Sequence, residues 1–338
     1  MAEYISTFIT GFENVVSRLV IHDLKGARIL CCYSGLLHYE YYGNPSDISR
    51  LIFLNNTFFV ISRFSGKNLT FRDMSLKVSK MRFRSINPTG SFRVRFSKES
   101  QFAKTSKDVI ILAEKTILRN CGLKIDRLNP TTEFWFIIRR EGIGFFGQLL
   151  KKRTMTEKNL HRGELRPELA YLMCCTCVIS KSSVICDPFA GYGAIPLQIQ
   201  KHFKFKKMYV NDANKKCVDY LHKTPLNNNG KIVITNYDAS GMTFISDKSV
   251  DLIISDPPWG FYSRPDNLCG FYQSILRELK RILANDGTIA LLSGAPAEII
   301  EAAGRASLNV SSSFGILVNG KKADIIILNN RVINKTEG

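Results

Sequence analysis

Apolar positions along the chain change their rhythm near residue 165. Ahead of that point the pattern is mixed. Residues 12–24 carry apolar side chains at helical spacing, and residues 29–33 form a short apolar strand. Residues 51–61 read as a strongly apolar strand. Residues 106–120 place Val109, Ile110, Leu112, Ala113, Ile117 and Leu118 near helical spacing, closed by Cys121-Gly122. Strands over 123–128 and 133–138 flank the turn Asn129-Pro-Thr-Thr132, and 142–150 is another short strand. The pattern predicts a small α+β domain. From about residue 165 strands and helices alternate, the signature of a doubly wound parallel sheet. Candidate strands cover 183–187, 207–211, 231–235, 250–255 and 288–293, with a buried helix over 168–179. Two last apolar runs, 314–318 and 323–328, flank Asn319-Gly320, a strong hairpin signal.

The expected division is an N-terminal region over 1–150, a polar and basic linker over 151–164, and an α/β domain over 165–338. No apolar run approaches the ~20 residues of a membrane helix. Glu3 and Glu13 interrupt what a secretory signal would need. Nine cysteines, an odd number without regular spacing, suit reduced thiols better than a disulfide framework. These features predict a cytoplasmic protein. Cys174 and Cys177 form a single C-x-x-C with no second pair, so no metal site is expected. His161 reads as a surface residue.

In an open α/β sheet, ligands sit beyond the carboxyl ends of the strands. Three predicted strand ends carry acids. The first runs into Asp187-Pro-Phe189-Ala-Gly191-Tyr-Gly193, where glycines permit a sharp turn and a close backbone approach to a ligand. Asp212 follows the second strand, placed to accept two ribose hydroxyls. Asp238, with Ala239 beside it, follows the third, placed to accept from an adenine amino group. A single such Asp could simply cap a helix; three in succession favour an adenosyl ligand. The fourth strand ends in Asp256-Pro257-Pro258-Trp259-Gly260. The exocyclic amine of a nucleobase is a poor nucleophile because its lone pair is delocalised into the ring. A carboxylate and a backbone carbonyl that accept its N–H bonds draw it toward an attacking geometry, and proline fixes the carbonyl direction. Trp259 offers a flat face for a base taken out of its stack. No cysteine lies in 255–262, which excludes the covalent route used on pyrimidine carbons.

Charge adds a partner. Residues 51–160 hold 22 Lys and Arg against 8 Asp and Glu, carrying +14 of the net +18. Such a patch is the footprint of a polyanion. Met81-Arg82-Phe83-Arg84 and Phe92-Arg93-Val94-Arg95-Phe96 alternate with period two around Asn87-Pro-Thr-Gly90, which predicts a hairpin presenting four arginines on one face to RNA.

Together, Asp187-Pro-Phe-Ala-Gly-Tyr-Gly193, Asp256-Pro-Pro-Trp-Gly260 and Leu165-Arg166-Pro-Glu-Leu-Ala170 resemble the catalytic domain of THUMP-containing RNA methyltransferases, nearest the tRNA guanosine-N2 group. Upstream, residues 92–96, 123–130 and 134–138 are similar to the later half of a THUMP domain. The resemblance covers roughly 80–330. It implies a class I, Rossmann-like methyltransferase sheet with a terminal antiparallel hairpin, preceded by a THUMP-like RNA-binding domain over about 50–150. It also implies S-adenosyl-L-methionine as cofactor, tRNA as partner, and room for a small activating subunit. By the same resemblance, Asp256 and Pro257 hold the guanine amine, Trp259 stacks on the base, and the residues around Arg166 approach the methionine end of the cofactor. Ala194 replaces a common threonine, and Trp259 a more usual tyrosine, which leaves adenine-N6 open as target. A third alternative is an RNA-binding protein whose methyltransferase fold no longer turns over; the four intact acids count against it.

Overall fold

In the first half of the chain, apolar side chains alternate along strands and need a cover on one face; helices supply it. The computed structural model describes residues 2–87, 89–153, 160–161, 163–228, 230–260, 268–318 and 320–330. The chain divides into two units, one of residues 1–8 and 17–154, the other of 9–16 and 155–338. Among the described residues no helix is long and apolar enough to cross a membrane.

The first unit is built on a nine-stranded sheet. Its strands are β1 (Glu3–Thr7), β2 (Arg28–Tyr33), β3 (Leu36–Glu40), β4 (Thr57–Ser65), β5 (Ser91–Lys98), β6 (Gln101–Phe102), β7 (Lys124–Ile125), β8 (Thr132–Ile138) and β9 (Ile143–Lys151). They run in the order β2-β3-β1-β4-β9-β8-β5-β6, with β7 also on β5. Its helices are α2 (Pro45–Arg50), α3 (Phe71–Ser79) and α4 (Lys107–Cys121), together with residues 17–23 of α1 (Glu13–Asp23). Gly122, at φ 69°, ends α4 in the left-handed conformation that glycine tolerates best. Met74 and Val78 of α3 and Val109, Ala113 and Ile117 of α4 pack on Phe92, Phe96, Phe134, Phe136 and Phe146 of the sheet. Phe136 stacks on Phe96, with ring centroids 5.3 Å apart, and lies 4.5 Å from Phe146.

Three expectations change here. The run 51–61 is not one strand. Leu51, Phe53 and Leu54 are buried in an irregular stretch and β4 begins only at Thr57, because burial alone does not dictate an extended backbone. The strand over 123–128 shrinks to two residues. The Asp126 carboxylate accepts from the amides of Leu128 and Asn129, both at 2.9 Å, and so turns the chain. The arginine hairpin does not form. Residues 81–84 alternate as expected, with Phe83 against Phe134 and Phe146 and Arg82 and Arg84 exposed, yet they join no sheet. Side-chain amides satisfy the segment instead: Phe83 N donates to Asn120 Oδ1 at 3.2 Å and Ile86 N to Gln148 Oε1 at 2.8 Å. Pro88 in the expected turn lies outside the described residues, as do 154–159 and 162 of the expected linker, whose first residue belongs to β9.

The second unit holds β10 (Val184–Asp187), β11 (Lys207–Asn211), β12 (Ile232–Thr235), β13 (Val250–Ser255), β14 (Leu283–Ser293), β15 (Asn309–Val318) and β16 (Lys321–Asn329). Helices α5 (Pro167–Cys174), α6 (Ala194–His202), α7 (Lys215–Leu221), α8 (Leu268–Ile282) and α9 (Pro296–Arg305) accompany them. The sheet order is β12-β11-β10-β13-β14-β16-β15. Strands β10 to β14 pair in parallel, whereas β16 is antiparallel to both β14 and β15. The chain grows outward from β10 to β12, then returns to the other side of β10, so the direction reverses between β10 and β13. Here α5 stops at Cys174 rather than near 179; Cys175 caps it and Val178 is exposed. The hairpin strands pair as expected, although Asn319 in their turn lies outside the described residues.

Truncating Phe136 to Ala should remove the stacked centre of the first unit and cost about 3–5 kcal/mol. Urea unfolding followed through the neighbouring Trp135 checks it; a loss below about 1 kcal/mol would mean the aromatic core repacks.

Candidate functional site

The strand ends at the reversal carry the acids, and hydrogen bonds fix them. Asp187 closes β10 and is almost fully buried. Its Oδ1 accepts from the Ser255 hydroxyl at 2.5 Å and from Phe189 N at 3.2 Å, and Phe189 N also reaches Ser255 Oγ at 3.2 Å. Ser255 is the last residue of β13, so these contacts tie the ends of the two central strands together. Burial pushes the Asp187 carboxyl up to about 8, and the Asp212 and Asp256 charges add to the rise. The neutral acid is thus the stable form through most of the physiological range.

Beyond Asp187 the chain turns through Gly191, at φ 53°, and Gly193, at φ 88°, into α6. A Cβ on Gly193 would stand 2.8 Å from Leu221 Cδ2, whereas at Gly191 it would meet open space. The two glycines therefore have different reasons: backbone sign and packing at 193, backbone sign and clearance at 191. Gly191 N donates to Asp212 Oδ2 at 2.8 Å, and the other Asp212 oxygen accepts from Asn214 N at 2.8 Å. Asp212 thus holds the glycine loop and the amide of Asn214, whose own side chain caps α7 by accepting from Lys216 N at 3.0 Å.

Asn211, fully buried at the end of β11, gives no obvious signal in the sequence beyond being polar in an apolar strand. Its Nδ2 donates to the carbonyls of Pro188 and Tyr237, and its Oδ1 accepts from the Thr235 hydroxyl and Tyr237 N. It ties the loops after β10 and β12 to the end of β11. Asp238 accepts from the Ser240 hydroxyl and amide through one oxygen, and these bonds hold its carboxyl below the usual range. It therefore closes a turn as well as taking its place in the wall; among the described residues no helix stands between it and β13 to be capped, and Ala239 beside it is buried.

After β13, Trp259 Nε1 donates to Asp256 Oδ1 at 2.7 Å, and the Tyr272 hydroxyl of α8 donates to the Pro258 carbonyl at 2.7 Å. The second bond fixes the Pro-Pro turn onto a core helix. Burial pushes the Asp256 carboxyl up to about 7, while the indole N–H works the other way.

One cavity of 1270 Å³ brings together Asp187, Phe189, Gly191, Asp212, Asp238, Ala239, Asp256, Pro257, Pro258 and Trp259. Arg166 is absent from that wall. It is buried at the start of α5, 3.5 Å from the Glu168 carboxylate, and its neighbour Leu165 lines the cavity instead. His161 is exposed, as expected, and its ring stacks on Tyr192 of the glycine loop at 4.0 Å and meets Tyr220 edge-on. The thiols of Cys174 and Cys177 are raised by burial. Among the described residues no group of three or more His, Cys, Asp or Glu could hold a metal ion.

Of the four arginines expected to meet RNA, only Arg93 and Arg95 lie on a strand together, on the face of β5 away from Phe92 and Phe96. Arg93 is committed: it bonds Glu133 at 2.6 Å and the Leu128 carbonyl at 3.3 Å.

Residues 172–302 match the family model of the methyltransferase small domain. Over its length the chain is similar in fold to TrmN from Thermus thermophilus, at 20% identity and TM-score 0.79, covering 97% of this chain and 99% of that one. SMU.472, assigned as a methyltransferase and complexed with SAH, matches at 12% identity and TM-score 0.73, covering 98% and 99%. A predicted N6-adenine-specific DNA methylase from Listeria monocytogenes matches at 12% identity and TM-score 0.68, covering 96% and 95%. No curated protein matches the chain in sequence. The second unit has the class I methyltransferase fold.

Gly193→Ala should destabilise the protein by about 1–3 kcal/mol, since a left-handed backbone and a clash with Leu221 act together. Gly191→Ala, with the same sign of φ and open space around it, should cost less. Thermal unfolding of the two variants compares them directly.

Proposed function

We propose that this protein is a cytoplasmic RNA methyltransferase that places a methyl group on the exocyclic N2 of a guanosine in tRNA. The observation that carries the reading is the Asp256 carboxylate, set at the strand reversal in the same cavity as the glycine loop and three further strand-end acids. The cavity suits an adenosyl cofactor. Gly191 leaves open space where a side chain would stand, and Asp212 and Asp238 supply acceptors on the β11 and β12 side. Asp187, Phe189, Gly191, Gly193, Asp212, Asp238 and Ala239 are the residues that hold S-adenosylmethionine in this reading. When bound, that cofactor supplies an electrophilic methyl group on a sulfonium.

The chain's own part is positioning and acceptance. Asp256 accepts an N–H of the base amine and Pro257, rigid in φ, directs a backbone carbonyl toward the second. The nitrogen lone pair is then freed from the ring for in-line attack. Trp259 provides the face on which the base rests, and Tyr272, through Pro258, keeps the turn from moving. A preorganised acceptor of this kind needs no reorganisation at the moment of reaction. The THUMP-like reading of the first unit and its basic surface support RNA over DNA. The fold likeness to TrmN supports the same choice. Trp259 in place of tyrosine favours one second reading, methylation of adenine N6.

Incubation with S-adenosylmethionine and unmodified tRNA transcripts, followed by nucleoside mass spectrometry, tests it. N2-methylguanosine is expected; N6-methyladenosine moves the target base, and no product with the cofactor bound overturns autonomous catalysis. The Asp256→Asn protein should lose about 100- to 1,000-fold in kcat. Because the carboxylate is the stronger acceptor for its N–H, kcat/KM of the native enzyme should rise tenfold per pH unit below about 7 and level off above it. A flat profile from pH 6 to 8, with product release excluded as the slow step, would remove Asp256 from this role.

A further inference from the structure

The edge of the first unit's sheet carries a feature that neither the core nor the catalytic cavity uses. After β5 the chain reverses through Glu99, at φ 52°, and Ser100, at φ 67°, two successive non-glycine residues in the left-handed region that L side chains disfavour. Such a turn persists only where its surroundings enforce it. Here the brace is Arg139, itself buried, which donates from Nη1 to Ser100 Oγ at 3.0 Å and from Nη2 to the Ser34 carbonyl at 2.7 Å. Glu99 N adds a bond to the Ile138 carbonyl at 2.9 Å.

The strained turn delivers β6, two residues long, and with it Phe102. Phe102 pairs with Ser97 and therefore falls on the face of β5 that carries Arg93 and Arg95. Its ring is 73% exposed, where an aromatic side chain gains little from folding. It is nonetheless oriented. The ring lies 5.4 Å from Trp135, tilted by 34°, and the Arg95 guanidinium carbon stands 5.4 Å from its centroid. Trp135 is fixed in turn by its indole N–H, which donates to Glu133 Oε2 at 2.8 Å. The charges on this face divide unequally. Glu133 is engaged by Arg93, whereas Arg95, among the described residues, has no carboxylate partner, and its buried Nε makes no hydrogen bond. The carboxylate of the turn is Glu99, and exposed Lys98, Lys104 and Lys107 flank it along the chain.

A rigid, exposed aromatic ring next to an uncommitted guanidinium, in a strongly basic segment, is complementary to one kind of partner. Bases stack on such rings regardless of sequence, and a neighbouring arginine neutralises the phosphate. We propose that Phe102, set on Trp135 and beside Arg95, is a stacking site for an unpaired nucleotide of the RNA substrate. The proposal rests on RNA being the substrate and deepens that reading by placing one single-stranded contact at the rim of the sheet.

Fluorescence anisotropy of a labelled, unstructured oligoribonucleotide with the full-length protein tests it. Phe102→Ala should weaken binding by about 5- to 150-fold, the span of a lost base–aromatic stack. Phe102→Trp should restore it, and Phe102→Leu should not. Arg95→Gln should weaken binding and lower the slope of log affinity against log salt by about one. Because Phe102 is exposed, its variants should unfold at the native temperature, which separates loss of contact from loss of fold. Binding unchanged in Phe102→Ala, restored equally by Leu, or absent in the native protein overturns the proposal. So does a peptide that displaces the RNA from native protein and Phe102→Ala alike, which would mark a protein-docking surface instead. Methyl transfer is measured separately on whole tRNA. Transfer without a Phe102 effect leaves the catalytic reading standing, and Phe102-dependent binding without transfer leaves the surface standing.

Discussion

A hydrogen bond between two strand ends sets the geometry on which the second unit's site depends. Asp187 and Ser255 terminate β10 and β13, the pair between which the sheet reverses direction, and they meet at 2.5 Å inside the protein. A reversal necessarily leaves a crevice, because consecutive connections depart to opposite sides. What it does not guarantee is that the two loops leaving the crevice hold a constant separation. The Asp187–Ser255 contact fixes that separation at its root, one residue before Asp256 and four before Gly191. With burial favouring the neutral carboxyl, the clamp avoids a fully buried charge and keeps the charged acids nearer the open part of the cavity.

The loops are then locked sideways. Asp212 holds the glycine turn, Asn211 links the loops after β10 and β12 to the end of β11, and Tyr272 holds the Pro-Pro turn on α8. Each lock is a polar side chain at or beside a strand end, or on a core helix, bonded to backbone. Loops carry function best when their scaffold leaves them few conformations. The same acids therefore serve two ends: Asp212 and Asp238 accept hydrogen bonds that hold their loops and also line the cavity. Holding a loop and binding are compatible for a carboxylate, since each oxygen has two lone pairs and one bond consumes only part of that capacity.

Much of this was legible in the sequence. The parallel sheet could be read because its strands are short apolar runs, four of which, β10 to β13, are closed by a turn with an acid, and the terminal hairpin because Asn319-Gly320 sits between two apolar runs. The clustering of Asp187, Asp212, Asp238 and Asp256 followed from a general rule about strand ends, and they share one cavity. What could not be read were the contacts made by residues with no distinguishing pattern. Ser255 and Asn211 are ordinary polar residues until their partners, 68 and 26 residues away, are known. His161 is exposed, as a lone histidine usually is, but no pattern announces that its ring stacks on Tyr192. The arginine hairpin failed for a related reason. Period two reports which side chains are buried, not whether the backbone finds a strand to pair with, and at 81–84 the partners are Asn120 and Gln148 side chains.

The two units thus solve different problems with similar means. In the second, polar contacts at strand ends hold the loops that border the crevice. In the first, a buried arginine holds closed a turn that would otherwise relax, and the result is an aromatic ring displayed rather than buried. Arg139 and Asp187 are both nearly inaccessible, and each fixes backbone that emerges within a few residues as exposed or cavity-lining chemistry. Burying an arginine is unfavourable unless it is paired and hydrogen-bonded, and Arg139 has the Glu141 carboxylate at 3.3 Å beside its two neutral acceptors. That Arg139 bonds the hydroxyl of a strained turn and a carbonyl more than one hundred residues away argues that the turn's conformation, and so the place of Phe102, is what the arrangement secures.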